Sequence, residues 1–233
     1  MRPGRRSAIT AGAALALLLI ANLPTSTRVG VDFIVTTQTI PLYEKAIAFV
    51  DRDIQLRRIS VTAIAGSASE GDRVERLLRW AHDNVRPQPA SLPVVDDHIW
   101  NIIVRGYGNA DQAADVFATL AGYQGIPATL IFPRRADGST VYAVAYAYVG
   151  GGWRVYDVRG GFVLRMPDGR LATVDEARGD LAVTRGLPTP GGSGGLTYTQ
   201  IAALLPPVPE RLRPYDQMPL LRLWQELTAL FRR

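Results

Sequence analysis

Apolar and polar positions follow different periods along the chain, and each period predicts an element. Ala8 to Leu23 is continuously apolar, follows Arg2, Arg5 and Arg6, and ends at Pro24. A charged flank followed by such a run is the pattern of a signal anchor or signal peptide. The arginines are expected to stay on the cytoplasmic side and direct the remainder outward. Leu19-Ile20-Ala21 and Thr25-Ser26-Thr27 make poor cleavage sites, so an uncleaved anchor is expected ahead of a cleaved signal or a buried helix.

The β-branched run from Val31 to Ile40 predicts a strand or extended linker. Helical spacing follows from Pro41 to Leu56 through Leu42, Ala46, Phe49 and Val50. A second helix is marked by Asp72 as its cap, by Val74, Leu77, Leu78 and Ala81 as one face, and by Pro87 beyond its end. The stretch Pro87 to Pro93 reads as a loop. Asn109 caps a predicted helix from Ala110 to Tyr123, with Ala113, Ala114, Phe117, Leu120 and Ala121 inward and Gly125 closing it. Strands are then predicted over Ala128 to Phe132, Val141 to Val149 and Trp153 to Val158, with turns at Asp137-Gly138 and Gly150 to Gly152. A hairpin follows, turning at Pro167-Asp168-Gly169.

Helices first and an antiparallel sheet second define an α+β domain. Gly191 to Gly195 reads as a flexible linker into a proline-rich stretch. Beyond it Leu220, Leu223, Trp224, Leu227, Leu230 and Phe231 share one helical face. That face is expected to pack on the domain, with a membrane surface or a partner as alternatives. The expected organisation is an anchor over 1–28, a domain over 29–190, and a linker with an amphipathic helix over 191–233.

Composition narrows the chemistry. The chain has 233 residues and no cysteine, which excludes disulfides, thiolate metal sites and thiol nucleophiles. Its formal charge is +5, carried almost wholly by arginine, with Lys45 the single lysine and acids interspersed. That is a mixed solvated surface, and no basic run interleaved with aromatics supports nucleic-acid binding. His82 and His98 are the only histidines. Asp96, Asp97 and His98 are neighbours whose side chains diverge, so neither a metal centre nor a cofactor is expected.

The stretches Arg105 to Phe132 and Val141 to Val158, with the helix around Trp80, resemble the transglutaminase-like superfamily of papain-like fold. Ala114, Leu120 and Gly125-Ile126-Pro127-Ala128 match that pattern as they stand. Counting back from Gly125, the family's cysteine falls on Ala110. Counting back from Trp153, its histidine falls on Tyr142, and its aspartate falls on Asp157. The resemblance implies a papain-like core whose Cys-His-Asp triad is reduced to Ala110, Tyr142 and Asp157. Its physical basis is a thiol at a helix N-terminus, pushed toward thiolate by the helix dipole and an imidazole that a carboxylate orients. Ala110 offers no nucleophile, and a phenol of ordinary pKa about 10 is a poor base near neutrality.

The residues themselves leave roles open. Asp157 either ends its strand, bonding Tyr142 or a loop amide, or contacts a ligand. Asp111 and Gln112, in the helix's first turn, either serve the dipole or face the cleft as polar ligand contacts. The expected protein is a membrane-tethered, extracytoplasmic pseudoenzyme, periplasmic or on the cell surface, or secreted if the leader is cleaved. It is expected to bind a peptide, polysaccharide or envelope protein. The alternatives are a hydrolase or transferase using Asp111, Tyr142 and Asp157 in acid–base roles, and a structural part of an envelope assembly.

Overall fold

A computed structural model describes residues 3–31, 34–92, 97–209 and 218–230. Helix α1 (Pro3–Ala21) leads into a hairpin of β1 (Pro24–Val31) and β2 (Ile34–Pro41), paired from Pro24 with Pro41 to Val31 with Ile34. Ile9, Leu15, Leu17 and the apolar residues after them on α1 are exposed, yet among the described residues no helix is long and apolar enough to cross a membrane.

Helix α2 (Leu42–Ala63) is longer than its apolar spacing predicts, and it buries a different face: Lys45, Phe49, Asp53, Leu56 and Ser60. The reason is polar pairing across elements. Lys45 donates to the Ser26 carbonyl at 2.7 Å, Asp53 accepts from the Tyr123 hydroxyl at 2.6 Å, and Ser60 accepts from the Gln124 amide at 2.8 Å. Buried polar groups persist when partnered, and a hydrophobic pattern cannot reveal such a face. Val50, expected inside, is exposed.

In α3 (Glu70–Asn84) the expected face of Val74, Leu77, Leu78 and Ala81 is buried. Its cap is Ser69, whose hydroxyl accepts from the Asp72 amide, while Asp72 reaches back to the Ala68 amide at 2.9 Å. Asp72 thus completes the cap rather than beginning it. The short strand β3 (Arg86–Pro87) pairs in parallel with β4 (Tyr107–Gly108), and α4 (Ile99–Arg105) lies between them in the chain.

The central element is α5 (Ala110–Tyr123), which starts and ends where its cap and glycine signals place it. It is buried on every side from Gln112 to Ala121. A helix apolar all round belongs in an interior, and its alanines let α2, α3 and α4 approach on one side and the sheet on the other. Gly125, in left-handed conformation at φ 71°, turns the chain into the sheet.

That sheet runs in the order β5 (Ala128–Ile131), β6 (Val144–Val149), β7 (Gly152–Asp157) and β8 (Phe162–Val163), antiparallel throughout. The β6–β7 turn places Gly150 and Gly151 at φ 57° and 79°, the left-handed pair that a tight hairpin needs. Strand β6 alternates strictly: Ala145 and Ala147 face α5, and Val144 and Tyr146 face the opposite core.

The opposite core departs from the expected organisation. After α6 (Val174–Gly179) and α7 (Leu181–Thr184), the chain passes the glycine run and forms α8 (Tyr198–Ala203). Ile201, Ala202 and Leu205 pack against Val144, Val155 and Leu164. Ser193, inside the run read as a linker, is buried. The domain's core therefore continues past residue 190, because an exposed sheet face of Val144, Tyr146 and Val155 needs a covering layer. Helix α9 (Pro219–Leu230) packs on α2, where Glu226 pairs with Lys45. Leu220 and Trp224 of its expected apolar face are exposed, while Leu223 and Leu227 are half-buried. Asp96 and Phe231 lie outside the described residues.

Candidate functional site

Where α5 begins beside the end of β7, the fold opens a cleft of about 590 Å³ lined by Gly108, Asn109, Ala110, Asp111, Tyr142 and Arg159, among others. Ala110 is the first residue of α5, and its methyl group packs against both halves of the core. Tyr142 lies just before β6, and Asp157 closes β7. All three residues read from the sequence therefore meet at one place.

Asp157 is only 2% exposed. The Tyr142 hydroxyl donates to its two oxygens at 3.0 and 3.1 Å. The Gly160 amide donates to Oδ1 at 2.7 Å, and the Tyr198 hydroxyl, from the first turn of α8, donates to Oδ2. The carboxylate is thus satisfied entirely from within the protein, by the two kinds of bond foreseen for it and by one that was not. Gly160 is required for this closure: a Cβ there would meet the Asp157 carboxylate at 2.8 Å and the Phe162 ring at 2.7 Å. Burial and the neighbouring Asp157 charge push the pKa of Tyr142 well above its ordinary value, and the same causes push Tyr198 up. Both phenols remain protonated donors through the neutral range.

Arg159 was not foreseen. Its guanidinium donates to the carbonyls of Val85 and Gly108, tying the β7 turn to the strands that precede α5. Burial lowers its pKa, against the opposing pull of Tyr142, Asp157 and Asp111. Nothing in the sequence marks it except its place two residues after Asp157. Tyr198 was missed for a stronger reason: it lies beyond the glycine run, in a segment read as outside the domain.

Of the two first-turn candidates, Asp111 lines the cleft and Gln112 does not. Gln112 is 3% exposed. Its carbonyl accepts from the Asn109 amide at 3.1 Å and from Arg105 at 2.9 Å, and its amide donates to Asp97 at 2.6 Å. It fastens α5 to the α4 region and is not available as a ligand contact. Asp97 and His98 diverge, since the His98 ring pairs instead with Arg52 at 3.2 Å. His82 lies in the last turn of α3, with its ring nitrogen 3.1 Å from the Val158 carbonyl and its ring against Gly161.

The described arrangement contains a helix N-terminus, a filled carboxylate and no nucleophile. Residues 57–158 match the model of the transglutaminase-like superfamily, a segment that holds Ala110, Tyr142 and Asp157 together. Among solved structures, a candidate cysteine protease from Cytophaga hutchinsonii is 18% identical with a TM-score of 0.40, over 48% of this chain and 41% of that one. A structure described as a TGase is 17% identical with a TM-score of 0.37, over 61% and 47%. A candidate protease from Parabacteroides distasonis is 12% identical with a TM-score of 0.35, over 62% and 40%. The chain spans less than half the length of each. No curated protein matches it. The fold is α+β and papain-like, and residues 57–158 form a domain of the transglutaminase-like superfamily.

Proposed function

We propose that this protein is a membrane-tethered, extracytoplasmic transglutaminase-like pseudoenzyme whose cleft binds a peptide, a glycan or an envelope protein. The observation that carries this reading is the state of Asp157. In the family's chemistry that carboxylate orients an imidazole beside a thiol. Here it is closed off by Tyr142, Tyr198 and the Gly160 amide, and a methyl group stands at the nucleophile position. With both phenols held protonated, acid–base chemistry by Tyr142 and Asp157 has no base with a free acceptor. The cleft itself stays open, with Asp111 and Arg159 on its wall.

The tether rests on the flank of Arg2, Arg5 and Arg6 and the apolar run to Leu23. Fractionation of cells expressing the full chain and a chain starting at Val29 tests it: the full chain is expected with membranes and the shortened one free. Equal release of both defeats the tether. The catalytic part is tested with a glutamine-containing peptide and a primary amine, for which no hydrolysis or transfer above background is expected. Turnover that disappears on Asp157→Asn overturns the pseudoenzyme. Ala110→Cys alone is expected to give little reaction with a thiol probe, as an unactivated thiol is only a few per cent ionised near neutrality. Labelling is expected to rise when Tyr142→His is added, and further with Tyr198→Phe, which frees an oxygen of Asp157 to orient the new imidazole.

A further inference from the structure

Helix α2 carries a second apolar face that its own domain leaves uncovered. Tyr43, Ile47, Val50, Ile54 and Val61 are 47%, 64%, 45%, 56% and 56% exposed. Their spacing alternates between four and three residues, interrupted once at Arg57, so they form the a and d positions of a heptad repeat over a 22-residue helix. Ile47, Ile54 and Val61 occupy every a position, with Tyr43, Val50 and Arg57 at d. A helix that merely covers a core needs one apolar face, and α2 already has one in Phe49 and Leu56. The heptad seam is therefore surplus to the monomer's packing.

We propose that two copies of this chain pair through this seam as a parallel two-stranded coiled coil. β-branched residues at every a position favour two parallel strands in register. Arg57, held near its own Asp53 at 3.4 Å, places one polar residue at a d position, a feature that weakens such a pair while fixing its register. A lipid surface is the poorer occupant, because Glu44 and Asp51 flank the first half of the seam and anionic headgroups repel them. The proposed tether gives the same orientation, since the Leu42 amide bonds the Leu23 carbonyl at 2.9 Å and starts α2 at the end of the apolar run. The pairing does not depend on that tether.

The absence of native cysteine makes the test direct. Ile47→Cys and Val61→Cys are introduced separately into the full chain in detergent and oxidised with copper phenanthroline. Leu181→Cys, on the exposed surface of α7, measures random collision. Disulfide-linked dimers are expected from both seam variants, and adding Ile54→Asp should reduce them at least about tenfold with the melting temperature unchanged. Cross-linking no greater than at Leu181, or unaffected by Ile54→Asp, overturns the pairing. A dimer by light scattering that is lost on Ile54→Asp but cross-links at neither position overturns the parallel arrangement. A monomer whose binding to anionic vesicles is lost on Ile54→Asp assigns the seam to lipid and also overturns it.

Discussion

At Asp157 a buried negative charge is answered by two phenols and a peptide amide, and the strength of that arrangement lies in its completeness. Removing one donor leaves a charged acceptor partly unsatisfied in an interior, where hydrogen bonds to charged groups contribute about 1.5–3 kcal/mol each. Tyr142→Phe and Tyr198→Phe are each expected to lower unfolding stability by that amount, read from urea midpoints at constant slope. The same residues set an alkaline limit. The folded pKa values of Tyr142 and Tyr198 lie above the unfolded value of about 10, raised by burial and by Asp157. Above pH 10 the unfolded chain then binds fewer protons than the folded one, so stability falls as pH rises. Their contribution is complete below pH 10 and is lost progressively above it. The double variant Tyr142→Phe with Tyr198→Phe should therefore show a shallower alkaline decline than the parent, and an equal slope would place the titration elsewhere.

At the scale of elements, the sequence was legible wherever one periodicity served one packing layer. Helix α5 announced itself through Asn109, its alanines and Gly125, and the β6–β7 hairpin through Gly150 and Gly151, because local backbone needs and burial agree there. Helix α2 was legible as a helix but misread as a surface, since its inward face is held by Lys45, Asp53 and Ser60 through partners that only the folded chain brings near. Ala110, Tyr142 and Asp157 were found by their spacing from Gly125 and Trp153. Tyr198 and Arg159 were not, because they reach the site from a later helix and a turn. The first turn of α5 shows the same division between neighbours. Gln112→Ala removes three buried bonds and is expected to cost about 1–3 kcal/mol. Asp111→Ala loses a favourable helix-dipole position and should cost less than about 1 kcal/mol. Equal destabilisation by the two, in matched denaturation curves, would contradict the distinct roles the geometry gives them.

For the molecule as a whole, the question is where the folded unit ends, and the sheet's second face decides it. Ile201 and Leu205 of the α8 region cover Val144, Val155 and Leu164, and the Tyr146 hydroxyl donates to the Pro206 carbonyl at 2.8 Å. A chain ending at Pro190 loses these side chains, leaves the Tyr146 hydroxyl without its acceptor and takes Tyr198 from Asp157. Each large apolar side chain contributes about 1.5–3 kcal/mol on burial and each stranded polar group costs about 1–3 kcal/mol. Together they reach the 5–15 kcal/mol that holds a typical domain folded. The chain truncated after Pro190 is therefore expected to lack a cooperative thermal transition. A chain truncated after Val208 keeps α8 and gives up only α9, whose described ion pair to the domain joins Glu226 to Lys45. It should melt cooperatively, within a few degrees of the full chain. Differential scanning calorimetry of the two distinguishes the cases, and a cooperative transition in the chain ending at Pro190 would show that α8 is an appendage rather than the third layer of the fold.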